Sequence, residues 1–182
     1  MNTHPFLFSL KKALTSILCI LYNTVDKLTW QGVDSVSKLF IYYSMSGNGD
    51  VVANYLSEKG VDVRKIETKY KLSHHMFFAM MKGGFHAMIG KKAKLINYNN
   101  DISNYDEIII GSPIWNSRLT PPINAVLKNT DLTNKKLTFI LYSGGGIGKK
   151  ATKKLSKKYP EATIINIKQP KKYNDELKKV EV

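Results

Sequence analysis

Apolar positions repeat along this chain in two different ways. Leu10, Leu14, Ile17, Leu21, Val25 and Leu28 recur at three- and four-residue steps, the stripe of one helix face. From residue 38 on, the pattern becomes short runs that alternate in type. Residues 39–43 are apolar, β-branched and aromatic, and Ser-Met-Ser-Gly-Asn-Gly follows them. Residues 50–59 read as a helix stopped by Gly60, and 61–67 as a second strand. Residues 107–111 hold a nearly unbroken isoleucine run, which suits a strand buried on both faces of a parallel sheet. A proline-started helix over 122–128 comes next, then a strand over 137–142, a helix over 147–159, a strand over 162–167 and a last helix near 173–180. Five strands separated by helices predict an α/β fold, a doubly wound parallel sheet with helices on both faces. Ligands of such sheets sit at the carboxyl ends of the strands, where the winding reverses. The loops after strands one, three and four are therefore expected to converge on one crevice.

The organisation expected is an N-terminal apolar or amphipathic helix and linker over 1–37, with the main domain over 38–182. The weakly polar run 13–22 is too short to span a bilayer, which takes about 20 residues. Lys11 and Lys12 ahead of it resemble the start of a signal peptide, but no small-x-small cleavage site follows and 23–27 is polar. Leu18 before Cys19 suits a lipoprotein site poorly. Three readings of this helix stand: packing on the domain or on a second subunit, an interfacial helix over residues 6–28 lying on a membrane, or a tail from an upstream start codon.

Composition narrows the classes. Apolar residues make up 43% of 182 residues, which is ordinary for one globular domain. A single cysteine, Cys19, excludes an intramolecular disulfide and any multi-cysteine zinc or iron–sulfur site, and a cytoplasmic setting is the simplest expectation. The net charge is +14, and residues 1–37 carry only three lysines against two aspartates, so the excess lies in the main domain. That field favours an acidic partner or an anionic membrane surface. No helix-turn-helix, zinc-finger or RNA-binding signature accompanies it, so no nucleic acid is expected.

Three loops carry the candidate chemistry. The first is Ser44-Met45-Ser46-Gly47-Asn48-Gly49, between a strand and a helix. Its glycines, serine hydroxyls and the positive helix end suit a nest for a phosphate dianion, although simple turn chemistry uses the same residues. The second is Ser112-Pro113-Ile114-Trp115-Asn116-Ser117-Arg118, in which Trp115 either stacks on an aromatic ligand or packs on its own helix. The third is Ser143-Gly144-Gly145-Gly146-Ile147-Gly148, whose glycines let backbone approach a planar ligand closely or simply make a flexible connection.

On these residues the chain resembles the flavodoxin family, in particular its short bacterial members, over roughly residues 38–168. Ser44, Ser46, Gly47 and Asn48 fall on the family's Ser/Thr-x-Thr-Gly-Asn-Thr phosphate loop, and Gly49 stands where a threonine is expected. Gly111-Ser112-Pro113-Ile114-Trp115-Asn116, with Pro121-Pro122 beyond, resembles the Gly-x-Pro-x-Trp segment over the flavin ring. Residues 143–148 resemble the glycine-rich loop that edges the ring's pyrimidine end. The resemblance implies a five-stranded sheet of order 2-1-3-4-5 and FMN as cofactor. It also implies that Ser44, Met45, Ser46, Gly47, Asn48, Gly49, Ser112, Pro113, Ile114, Trp115, Asn116, Ser143, Gly144, Gly145, Gly146 and Gly148 contact that cofactor. The missing Gly49 hydroxyl is expected to weaken the phosphate site by about 1 kcal/mol, one neutral hydrogen bond.

The stretch 69–94 holds His74, His75, Met76, Phe77, Phe78, Met80, Met81, Phe85 and His86. Packing residues at helical steps are the plain reading, with a lid over the flavin or a docking surface as the sharper one. Adjacent histidines face different sides of a helix, and no metal is expected there. No residue is singled out as acid, base or nucleophile. The functions implied are electron transfer to a redox partner protein, or a flavin-dependent NAD(P)H:quinone-type oxidoreductase. A third is a domain that kept the fold without the flavin and binds a protein partner.

Overall fold

In the computed structural model, the residues described are 36–69, 86 and 92–180. The chain divides into two units, Met1–Ser35 and Val36–Val182. The helix expected in the N-terminal segment, residues 1–35 of it, lies outside the described residues, as do Phe77, Phe78, Met81 and Phe85, expected to pack, and the adjacent His74 and His75.

The central strand pair explains the rest of the sheet. β1 (Lys38–Tyr42) pairs in parallel with β2 (Asp62–Lys65) on one side and with β5 (Glu107–Trp115) on the other. β5 pairs with β7 (Lys136–Ser143), and β7 with β8 (Thr163–Lys168), again in parallel. The order β2-β1-β5-β7-β8 is the 2-1-3-4-5 arrangement read from the sequence. The chain winds outward from β1 to β2, returns to the far side of β1, and winds outward again. Ligands of doubly wound sheets sit at such a reversal, which here lies beyond the carboxyl ends of β1 and β5. Two short strands, β3 (Glu67–Thr68) and β4 (Leu95–Ile96), form a separate antiparallel pair.

Strand alternation sorts the apolar side chains onto two faces. Leu39, Ile41, Ile108, Ile110, Phe139 and Leu141 meet Ile123 and Val126 of α2 (Pro121–Asn129), and Ala151 and Leu155 of α3 (Lys149–Lys158). Phe40, Tyr42, Ile109, Ile140, Tyr142 and Ile167 meet Val52, Ala53 and Leu56 of α1 (Asn48–Ser57). Val180, at the end of a 3-10 helix over Asn174–Lys179, closes this second face. The last element is thus a 3-10 turn set where an α-helix was expected, and it buries no side chain of its own.

At the amino end of β5, Glu107 is 1% exposed. Its carboxylate accepts hydrogen bonds from Lys136 Nζ (3.0 Å) and Thr138 Oγ1 (2.9 Å), and Lys38 Nζ lies 3.7 Å away. One buried charge therefore joins β1, β5 and β7, with cations from both neighbouring strands. Among the described residues, no helix is long and apolar enough to cross a membrane.

Candidate functional site

The carboxyl ends of β1, β5 and β7 lie side by side, and the three candidate loops leave from them. The Tyr43 N–H donates to the Gly111 carbonyl (3.2 Å), so the first loop begins against β5. Gly47 then adopts φ +88°, a left-handed turn that glycine takes without steric cost, and α1 starts at the next residue. Gly47 is the N-cap and offers no side chain to the helix. Among the described residues, nothing accepts a hydrogen bond from the N–H groups of Asn48, Gly49 or Asp50. Those donors, with the positive end of the helix dipole behind them, suit an anion.

The other two helices differ. α2 begins with Pro121 and Pro122, which carry no N–H. At α3, the Lys150 N–H donates to Ser117 Oγ (3.1 Å) and the Ala151 N–H to the Ser117 carbonyl (2.8 Å).

The hydroxyls of the first loop have unequal roles. Ser44 Oγ donates to Asp50 Oδ2 (2.8 Å), and Tyr42 Oη donates to Asp50 Oδ1 (3.1 Å). Lys65 Nζ completes the ring of partners at 2.7 Å. Burial alone would raise the Asp50 pKa, but the Lys65 ammonium and the two hydroxyls hold it below the ordinary carboxylate value. Burial, then the Asp50 charge, pushes Tyr42 up to about 12. Ser44 is therefore committed to Asp50, whereas Ser46 accepts from Asn48 Nδ2 (2.9 Å) and keeps its own proton to donate.

Gly49 explains its departure from the threonine pattern. A Cβ there would sit 2.5 Å from Tyr142 Oη and 3.0 Å from both Ser44 Cβ and Tyr42 Cδ2. The Tyr142 hydroxyl donates to the Tyr43 carbonyl and is fully enclosed, which drives its pKa well above the ordinary phenol value. Where the resemblance implies a threonine side chain on α1, a phenol reaches over from β7.

The second segment is a hairpin and not a loop. β5 runs on through Ser112, Pro113, Ile114 and Trp115, and pairs in antiparallel fashion with β6 (Arg118–Leu119). Asn116 and Ser117 make the two-residue turn with φ +48° and +61°, the signs a type I′ turn demands. Ser112 is wholly buried, and its hydroxyl donates to the Pro113 carbonyl (2.8 Å), so its side chain does not reach the crevice surface. Ile114 packs where a Cβ on Gly148 would be, 3.1 Å away at Cγ1. The Trp115 ring meets the Tyr43 ring edge-on, with centroids 6.3 Å apart at 82°. Hairpin, first loop and third loop are thereby held together.

In the third segment the glycines divide by cause. Gly146 has φ +72° and sits against Lys168, so the fold itself needs it. Gly145 has nothing within 4 Å of a Cβ position, and Gly144 only Gln169 Nε2 at 3.5 Å. Protein packing does not require glycine at either, which leaves space for a ligand lying against the backbone. Ser143 anchors the turn: its Oγ accepts from the Ile147 N–H (3.1 Å), and its carbonyl accepts from the Gln169 N–H (3.1 Å). Met45 and Ile147, at 52% and 61% exposure, are apolar side chains standing open on the first and third loops.

Sequence reasoning missed Tyr142, Asp50, Lys65 and Gln169 as neighbours of these loops. Asp50 had a local signal, an acid in the first helical turn. The others come from strands and turns distant in sequence.

A flavodoxin family profile matches residues 37–182. The chain belongs to the flavodoxin family. Its fold is similar to that of a flavoprotein of Lactobacillus acidophilus solved in complex with FMN, with TM-score 0.58 and 18% identity over 78% of this chain and 98% of that one. A candidate flavoprotein of Bacteroides eggerthii gives TM-score 0.59 and 21% identity over 70% and 84%. One from Bacteroides uniformis gives 0.55 and 21% over 70% and 85%. No curated protein matches the chain.

Proposed function

We propose that this chain binds FMN in the crevice beyond β1, β5 and β7 and passes electrons through it. The observation that carries the reading is the uncapped start of α1. The N–H groups of Asn48, Gly49 and Asp50 have no acceptor among the described residues, and Ser46 keeps a proton to donate beside them. Gly144 and Gly145 leave backbone bare for the flavin edge, and Trp115, Met45 and Ile147 supply apolar surface for the ring. The solved relative from Lactobacillus acidophilus, a complex with FMN, supports the choice of ligand. When bound, FMN would supply the redox chemistry, and these residues would anchor and orient it. The test is a visible spectrum of the purified protein after addition of FMN and desalting. Retained flavin absorbance supports the reading, and a colourless protein sinks it.

The net charge of +14 favours acidic protein partners, and it equally suits an anionic dinucleotide, the donor of an NAD(P)H:quinone-type oxidoreductase. α3 exposes Lys149, Lys150, Lys153, Lys154, Lys157 and Lys158 with no acid among them, which is a surface for such a partner. Steady oxidation of NADH or NADPH by the flavin-loaded protein with a quinone favours the enzyme, and its absence favours the carrier.

A further inference from the structure

The chain beyond β8 returns to the first loop, although β8 lies at the far edge of the sheet. Three tethers hold this return. The Gln169 N–H donates to the Ser143 carbonyl, Pro170 is buried, and the Lys171 N–H donates to Asn48 Oδ1 (3.2 Å). The N–H groups of Lys172 and Tyr173 both donate to the Gln169 carbonyl (2.8 and 3.0 Å), closing a tight turn around Lys171.

The turn aims the Lys171 side chain across the phosphate-loop glycine. Its Cδ and Nζ each lie 3.3 Å from the point a Cβ on Gly47 would occupy. The charges around that point do not balance. Asp50 is matched by Lys65 at 2.7 Å, while the Lys171 ammonium forms no ion pair among the described residues. An exposed cation therefore stands beside the positive end of a helix whose first donors are also unmatched. These two like-signed fields repel one another, and a dianion between them satisfies both.

We propose that Lys171 is the phosphate-recognition residue of this chain, making it select the 5′-phosphorylated flavin over riboflavin. The proposal rests on the FMN reading above. It adds a residue that neither the loop pattern nor the neighbouring strands contribute.

The test titrates FMN and riboflavin, followed by flavin fluorescence, into the full chain and into Lys171→Met, Lys171→Gln and Lys171→Arg. Both removals of charge are expected to weaken FMN by about tenfold or more, the loss of one charge-assisted hydrogen bond, and to leave riboflavin unchanged. Arginine is expected to restore most of the FMN affinity. Added salt is expected to weaken FMN binding to the unaltered chain more than to the methionine variant. An unchanged FMN affinity without the lysine overturns the assignment, as does an equal loss for both flavins. An unaltered chain that takes riboflavin as well as FMN overturns the lysine's role and leaves the flavin reading standing. A chain that takes neither flavin overturns both.

Discussion

The hydroxyl of Tyr142 stands 2.5 Å from the point where a Cβ on Gly49 would project. Residue 49 is thus held at glycine by a side chain that belongs to another strand. Installing the family's residue, Gly49→Thr, is expected to destabilise the fold by about 2 kcal/mol through overpacking. Tyr142→Phe alone is expected to cost about 1 kcal/mol, the hydrogen bond to the Tyr43 carbonyl. The double variant removes the clashing oxygen and should be more stable than the sum of the two losses by about 1 kcal/mol. Urea unfolding of the four proteins measures this coupling, and strict additivity would refute it.

The third-loop glycines separate ligand from fold. Gly145→Ala meets open space, so its melting should match the unaltered chain within about 0.5 kcal/mol, while FMN retention falls. Gly146→Ala forces a left-handed backbone on a residue crowded by Lys168, and should cost about 1 kcal/mol of stability. A stability loss at Gly145, or intact FMN retention in that variant, would count against the assignment.

Asp50 links acid stability to the first loop. Its folded-state carboxyl lies below the ordinary value, so its favourable contacts are complete above that value and fade as pH falls through the folded one. Asp50→Asn should cost about 0.5 kcal/mol near neutral pH, since the pair with Lys65 is largely solvated. The gap to the unaltered chain should close below the ordinary carboxylate range. Paired denaturation curves across acidic pH test the sign; a gap that widens on acidification would reverse it.

Glu107 sits at the opposite end of β5 from Trp115, about 25 Å along an extended strand. Glu107→Ala removes the acceptor shared by Lys136 and Thr138 and leaves a void, at an expected cost of about 3 kcal/mol. Flavin affinity of the folded fraction should be unaffected. Denaturation and FMN titration of the same variant separate the two quantities.

Much of the sheet was legible because its signals are local. The run Ile108, Ile109, Ile110 marks a two-sided buried strand, and Gly60 marks a helix end. The hairpin was not legible. Ser112 and Pro113 read as loop residues, and nothing local tells that Asn116 and Ser117 will accept positive φ without a glycine. The first loop was recognisable by its own residues, but its occupants were not. Ser44 is bound to Asp50, Gly49 answers to a phenol 93 positions away in the chain, and the Asn48 side-chain oxygen Oδ1 accepts from the Lys171 N–H. Contacts between segments this distant leave no periodicity or spacing to read.

Ser117 has a mechanical consequence. The same residue turns the β5–β6 hairpin and holds the first amides of α3 by two bonds, one from its hydroxyl and one from its carbonyl. Crevice wall and lysine-bearing helix thus share a joint, so a load applied to α3 by anything gripping its lysines is carried directly to the strand end that bears Trp115.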